Sequence, residues 1–402
     1  DAIRRYYEVF PACGGGRLVG GRPEEAPHHW FAGELAEEEI AAREAAAHFV
    51  GAARAEEIVW VRNTTEAVNL LAHALGFEPG DEVATSELEH NSNQVPWQML
   101  EARLRREAAQ PDLPVRRVFD RAPDGAFDLG RALAAITSRT KLVALGHRSN
   151  LDGSTIADED LVALVRRAHA VGAKVFLDAA QSVPHRPVDV GALGVDFLAF
   201  SFHKLCGPSG LGVLYGRMEA LERLEPFLVG GDTVADVWPD AVEFKAPPGR
   251  FEAGLQHYAG MLGARAAIDY VTHTVGLDAI QAHDRFLGGL LEARLRPLTC
   301  EHFRLLGPEG AGAESGIVTM ASGLGAVINA IERLADEESN VMLRKGMFCA
   351  NAYLHRHFDA AGSAHNNLRA SVYLYNTEAE CDALCRVVER VVRDPLAHLD
   401  GD

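Results

Sequence analysis

Hydrophobic positions recur at helical spacing over residues 35–50, 66–75 and 161–170. Between and beyond these stretches lie short apolar or β-branched runs at 57–61, 82–85, 141–145, 174–177, 197–200 and 212–215. Strands alternating with helices predict a mostly parallel sheet covered on both faces. In such a sheet ligands sit beyond the carboxyl ends of the strands, so chemistry is expected at the residues that follow each run. After Val275 the texture changes to longer helical patterns at 279–296 and 378–392, with a few short strands between. The expected organisation is a large domain over 18–275 and a smaller α/β domain built from 1–17 and 276–402. The proline-rich stretch 246–250 reads as a surface loop. The chain shows no internal repeat and no low-complexity tract.

Composition narrows the partners. The chain has 402 residues, 48% apolar and 24% charged, the profile of an ordinary globular protein long enough for two domains. Its 39 Lys+Arg against 57 Asp+Glu give a net charge of −18, with no basic run, which argues against nucleic acid and anionic membrane as partners. No apolar stretch is long enough to span a bilayer and no leader is visible, so a cytoplasmic protein is expected. The first residue is Asp1, which leaves a longer parent chain open. Six cysteines, at 13, 206, 300, 349, 381 and 385, lack C-x-x-C spacing, so neither a disulfide framework nor a metal site is expected. All but Cys349 are read as small buried hydrophobes.

The candidate chemistry lies at the strand ends. The run 197–200 leads into Ser201, His203 and Lys204 and then a glycine-rich turn. Burying an ammonium is costly, whereas an imine to an aldehyde cofactor removes the bare amine and creates an electrophile. A surface lysine after an edge strand is the plainer reading of S-x-H-K alone. Asp178 ends another strand, 26 residues before Lys204, and a carboxylate there can keep a pyridine nitrogen protonated. Asn63, Thr64 and Thr65 follow a strand and open a helix, an arrangement that suits a phosphate or a simple Thr N-cap. His90 follows a further strand, and its imidazole could stack on a flat ring or be an ordinary surface or core histidine.

These fragments occur together in one order, and the chain resembles the class V aminotransferase superfamily of pyridoxal 5'-phosphate (PLP) fold type I, within it the cysteine desulfurases and their carbon–sulfur lyase relatives. The resemblance runs from about Ala52 to about Val391. It rests on Asn63-Thr-Thr-Glu-Ala67, Glu89-His90, His147-Arg-Ser-Asn150, Asp178-Ala-Ala-Gln181, Ser201-Phe-His-Lys204, Gly230-Gly231, Phe251-Glu-Ala-Gly254, Arg344-Lys-Gly-Met-Phe-Cys349 and Arg369-Ala-Ser371. It implies a seven-stranded, mostly parallel sheet between helices, with a smaller C-terminal α/β domain. It also implies that Lys204 carries PLP as a Schiff base, that Asp178 meets the pyridine nitrogen and that Gln181 and Asn150 reach the ring oxygen. His90 would stack on the ring, and Asn63, Thr64, Thr65, Ser201 and His203 would surround the phosphate. Arg369, Asn150 and Gly231 would bind an amino-acid substrate, with Arg369 as a bidentate clamp on its carboxylate. A homodimer with sites near the interface is implied as well.

In the resembling desulfurases a cysteine on a mobile loop takes the substrate's sulfur, and Cys349 falls at that place. Four departures accompany it. Met347 and Phe348 stand where two histidines are usual, and Leu255-Gln256 stands where Thr-Pro is usual, so that Gln256 would have to replace a phosphate-binding hydroxyl. Phe202 replaces a glycine, which is expected to narrow the site floor. The stretch from Cys349 to Arg369 is long, with His355, His357 and His365, and reads as a longer entrance loop. The expected activity is therefore cleavage of the Cβ–S bond of cysteine or an S-substituted cysteine, free or tethered to a carrier, giving thiol or sulfide, pyruvate and ammonia. The alternatives are a desulfurase that forms a persulfide on Cys349 and a catalytically silent domain.

Overall fold

The computed structural model describes residues 1–12, 18–19, 22–23, 29–110, 113–359 and 363–398. Cys13, and with it 13–17 of the expected small domain, lies outside the described residues. The large sheet has seven strands: β1 (Ile58–Val61), β2 (Glu82–Ser86), β3 (Arg116–Phe119), β4 (Thr140–Gly146), β5 (Lys174–Asp178), β6 (Phe197–Ser201) and β7 (Gly212–Gly216). Their order is β1-β7-β6-β5-β4-β2-β3. β7 runs antiparallel to both its neighbours and the other pairings are parallel. The central strands are buried along nearly their whole length, as sequences rich in Val, Leu, Phe and Ala require when both faces are covered. Register brings the strand ends level, with Gly146 opposite Asp178, Asp178 opposite Ala199 and Ser201 opposite Gly212. Gly212 is obligatory there, because a Cβ would lie 2.7 Å from the Phe200 carbonyl oxygen and 2.9 Å from the Asn63 Cα.

Six of the seven strands follow the apolar runs read from the sequence. The seventh, β3, does not, because Arg116 and Arg117 put a charged residue on each face of this short edge strand. The helix Val95–Glu107 and the hairpin Val234–Trp238 with Ala241–Phe244 are also additional to the sequence reading. Pro247 and Pro248 are buried, so the stretch read as a surface loop is anchored in the body of the protein.

After Gly276, whose φ of +93° needs a glycine, the helix Leu277–Leu295 leads into a separate core. Four antiparallel strands lie there in the order Arg304–Leu305, Ile317–Ala321, Asn367–Ser371, Arg344–Lys345. Gly325–Ser339 and Glu378–Arg393 cover them, the latter started by a capping box of Thr377 and Glu380. The N-terminal segment differs from its expected assignment. Phe10 is fully buried with the large-sheet core and Tyr6 and Ala12 pack on it, so residues 1–12 join the large layer. Among the cysteines, Cys381 and Cys385 are buried as read, but Cys206 and Cys300 are exposed.

Candidate active site

β5 delivers Asp178, β6 delivers Ser201 and the tight turn Phe202–Lys204, and the chain after β2 delivers Glu89 and His90. These ends surround one cavity of about 220 Å³. Of the residues named from the sequence, Asn63, Thr64, Thr65, His90, Asn150, Asp178, Gln181, Ser201, His203 and Lys204 all line it.

At one end stands the N-terminus of the helix Thr64–Ala74. Its cap is Asn63 rather than a threonine, the Asn63 Oδ1 accepting from the Glu66 N–H at 3.0 Å. The Thr64 N–H donates to the Ser201 Oγ at 2.9 Å, and the two hydroxyls lie 3.0 Å apart, which ties the helix to β6. Thr65 remains exposed, its hydroxyl 2.6 Å from that of Ser92. Ser92 also lines the cavity and had no sequence signal beyond its nearness to His90.

Asp178 is buried and accepts the Ala180 N–H at 3.0 Å. Burial draws the Lys204 amine below the usual lysine range, while Asp178 opposes the shift. Its Nζ has no hydrogen bond or ion pair with a described residue. Burial also lowers the His90 pKa, and the ring's Nδ1 accepts the Ser92 N–H at 3.1 Å, which leaves the neutral ring's proton on Nε2. Beside them Glu89, named with His90 but given no role, is pushed up to about 7 by burial. Three donors partly offset that rise: the Ser86 hydroxyl, the Asn93 amide and the Gly146 N–H, at 2.7, 2.7 and 2.8 Å.

The remaining candidates lie outside the cavity lining. The Arg369 Nη1 donates to the Asn150 carbonyl oxygen at 2.7 Å, its guanidinium carbon lies 5.1 Å from the centre of the Phe348 ring, and its buried Nε has no partner. Cys349 is exposed and near enough to Lys204 and Arg369 for a thiolate charge there to act on both. The Asn150 Nδ2 donates one of its two protons to the Phe348 carbonyl oxygen at 2.6 Å, and the Asn91 N–H donates to that of Cys349 at 2.6 Å. Gly231 is exposed, accepting the Gly254 N–H at 2.8 Å. Gln256 turns back on its own loop, donating to the Gly254 carbonyl oxygen at 3.0 Å, and lines a different cavity.

Two departures read from the sequence resolve differently. Phe202 is fully buried against Trp60 and Phe200, so it fills the core and does not narrow the site floor. The stretch after Cys349 is a helix, Asn351–Phe358, not an extended loop. His357 and Arg356 hold it to Glu87 at 2.7 and 3.2 Å. Residues 360–362 lie outside the described residues.

The donor set fits PLP. A half-buried amine without a partner shares the cavity with a buried carboxylate, and hydroxyls, an imidazole and a helix N-terminus gather nearby, which are the groups an aldehyde, a pyridine nitrogen and a phosphate require. The family model for aminotransferase class-V matches residues 24–384. The chain belongs to that family. A cysteine desulfurase of Dickeya dadantii is 40% identical over 360 residues, covering 89% of this chain and 81% of that protein. A probable cysteine desulfurase of Streptomyces coelicolor is 36% identical, covering 97% and 88%. The apo structure of a cysteine desulfurase from Thermococcus onnurineus superposes with a TM-score of 0.83 at 32% identity, covering 98% of this chain and 90% of that one. The protein is thus a PLP-dependent enzyme of the cysteine desulfurase group, with the type I fold expected from its motifs. Membership sets aside the silent-domain alternative. Among the described residues no helix is long and apolar enough to cross a membrane.

Proposed function

We propose that this enzyme cleaves the Cβ–S bond of cysteine or an S-substituted cysteine and releases a thiol or sulfide, pyruvate and ammonia. The observation that carries this choice is the fastening of the Cys349 segment. Hydrogen bonds from Asn150 and Asn91 hold the Phe348 and Cys349 carbonyls, and both residues sit in left-handed backbone, φ +50° and +58°. A cysteine that must swing out to hand on sulfur is poorly served by such anchoring.

When bound, PLP supplies an electron sink for the charge that develops at the substrate Cα. Lys204, with its depressed pKa, is suited to accept the Cα proton and then to give it to the departing sulfur, which leaves as thiol. Asp178 holds a proton on the ring nitrogen, and Asn150 and Gln181 serve the ring oxygen. Thr65, Ser201, His203 and the amides of the helix N-terminus hold the phosphate, with Asn63 and Thr64 fixing that terminus. The neutral His90 ring covers the cofactor. Arg369 grips the substrate carboxylate, its unpartnered Nε supplying the second prong.

A second reading is favoured by one observation, the exposure of Cys349 beside Lys204 and Arg369. There its thiolate attacks the substrate sulfur, the Cβ–S bond breaks, and a persulfide and alanine result. Incubation with L-cysteine and a panel of S-alkyl cysteines, with pyruvate and alanine both quantified, separates the two. Elimination gives pyruvate that survives Cys349→Ser; alanine with a persulfide on Cys349 refutes it.

The proposal includes a homodimer in which Gln256, idle in its own subunit, serves the other subunit's phosphate. Exposed Leu228 and Leu255 flank the cavity that Gln256 lines, which supports an interface there. It also includes a reducing, cytoplasmic setting, consistent with five described cysteines that are all free thiols. A carrier-tethered form of the same substrate falls within this reading.

A further inference from the structure

One part of the cavity wall has no task in that reaction. Arg121, from the chain just after β3, and Ser154, from the loop after β4, both line it. Arg121 is only 7% exposed. Its Nε donates to the Gly125 carbonyl oxygen at 3.0 Å and its Nη2 to the Ser154 hydroxyl. Its Nη1 has no hydrogen-bond partner, and no carboxylate pairs with it, among the described residues.

The nearby carboxylates are engaged elsewhere. Glu87 accepts the Arg121 backbone N–H at 2.8 Å and pairs with His357 and Arg356. Asp152 accepts the N–H and hydroxyl of Ser154 at 3.1 and 2.7 Å, so it meets Arg121 only through a neutral hydroxyl. A guanidinium withdrawn from water without an anion is costly, and the cost is recovered if a ligand brings the anion. Arg148 also borders the cavity, its Nε bound to the Thr155 hydroxyl at 3.0 Å and its buried Nη2 without a partner, but the Glu314 and Asp284 carboxylates act on its charge.

We propose that Arg121 is a second anion subsite, which binds a carboxylate at the far end of the substituent on the substrate's sulfur. It rests on the Cβ–S cleavage reading and specifies the substrate class as an S-(carboxyalkyl)cysteine, an amino acid with acidic groups at both ends. Arg369 takes the α-carboxylate and Arg121 the distal one. One guanidinium beside one hydroxyl matches a single negative charge, whereas a phosphate would bring two.

The test compares S-carboxymethyl-L-cysteine with its side-chain methyl ester and with S-methyl-L-cysteine on the holoenzyme. Expected is a kcat/KM for the acid higher than for the ester by about 10- to 100-fold, the range of one hydrogen bond to a charged group. Arg121→Gln removes that advantage and leaves S-methyl-L-cysteine within about threefold, the size of an unrelated perturbation. Equal use of acid and ester by the wild type overturns the subsite, as does an Arg121→Gln protein that loses both substrates alike while keeping its bound cofactor. Should Arg121→Gln not fold, the wild-type acid and ester comparison decides. Calorimetric binding of acid and ester to cofactor-loaded Lys204→Ala separates this proposal from the reaction it rests on. Tighter binding of the acid with no product from any S-substituted cysteine upholds the subsite and refutes the reaction, and equal binding refutes the subsite.

Discussion

Arg43 and Lys204 are both withdrawn cations, and their surroundings are opposite. Arg43 is 1% exposed and meets the Glu252 carboxylate with two hydrogen bonds at 2.7 and 2.9 Å, adding Glu39 at 2.9 Å and the Ile58 carbonyl oxygen at 2.6 Å. Glu252 also accepts the Trp60 N–H at 2.7 Å, so the pair fastens the helix Trp30–Phe49 and β1 to the segment that leads to Gln256. Lys204 has no such partner, and its pKa falls where that of Arg43 rises. A buried cation matched by carboxylates, as Arg43 is through its Nη1 and Nη2, belongs to the scaffold; one left without a carboxylate at a strand end is waiting for a ligand. Arg369 and Arg121 share the open condition of Lys204, although each spends some of its donors on neighbouring oxygens.

Breaking each side of this contrast gives different losses. Lys204→Ala is expected to lower turnover by at least about 10³-fold, the scale of a lost proton-transfer group, with thermal stability little changed; steady-state kinetics beside a melting curve checks both. Glu252→Ala leaves Arg43 with Glu39 as its remaining carboxylate and is expected to cost about 3 kcal/mol of stability, read from denaturant midpoints.

Glu89 sharpens the comparison through pH. It holds its proton more tightly in the folded protein than in the unfolded chain, because burial raises its pKa from 4.5 to about 7. The stability it contributes is therefore full below pH 4.5 and is lost as pH rises through about 7. Glu89→Gln removes about 3 kcal/mol of that slope, measurable as a flatter stability curve across the window. Arg369→Lys keeps the charge but loses the fork, and is expected to raise KM by about 10-fold, some 1.4 kcal/mol, with kcat less affected; initial rates against substrate concentration test it.

Much of this site could be read in the sequence because the chemistry sits where apolar runs stop. Asp178 closes β5 and Ser201 closes β6, so a period-based reading of strands points directly at them. Arg121 could not be found that way. It follows β3, whose Arg116 and Arg117 hide the strand, and it meets Ser154 only through folding. The role of Phe202 was misjudged for a related reason: the residue beside a catalytic lysine looks like part of the site floor, but at a strand end successive side chains point to opposite faces, and this one joins the Trp60 and Phe200 cluster. Helix Asn351–Phe358 escaped because the length of the stretch from Cys349 to Arg369 suggested a loop, whereas Leu354 is fully buried and His357 is taken up by Glu87.

The identity of the cofactor-bearing amine is the claim on which the rest depends. Borohydride reduction of the holoenzyme, followed by proteolysis and mass mapping, reads it directly. The expected result is a pyridoxyl-phosphate mass on the peptide containing Lys204; the same mass on a peptide with Lys174, Lys141 or another lysine, or on none, contradicts it.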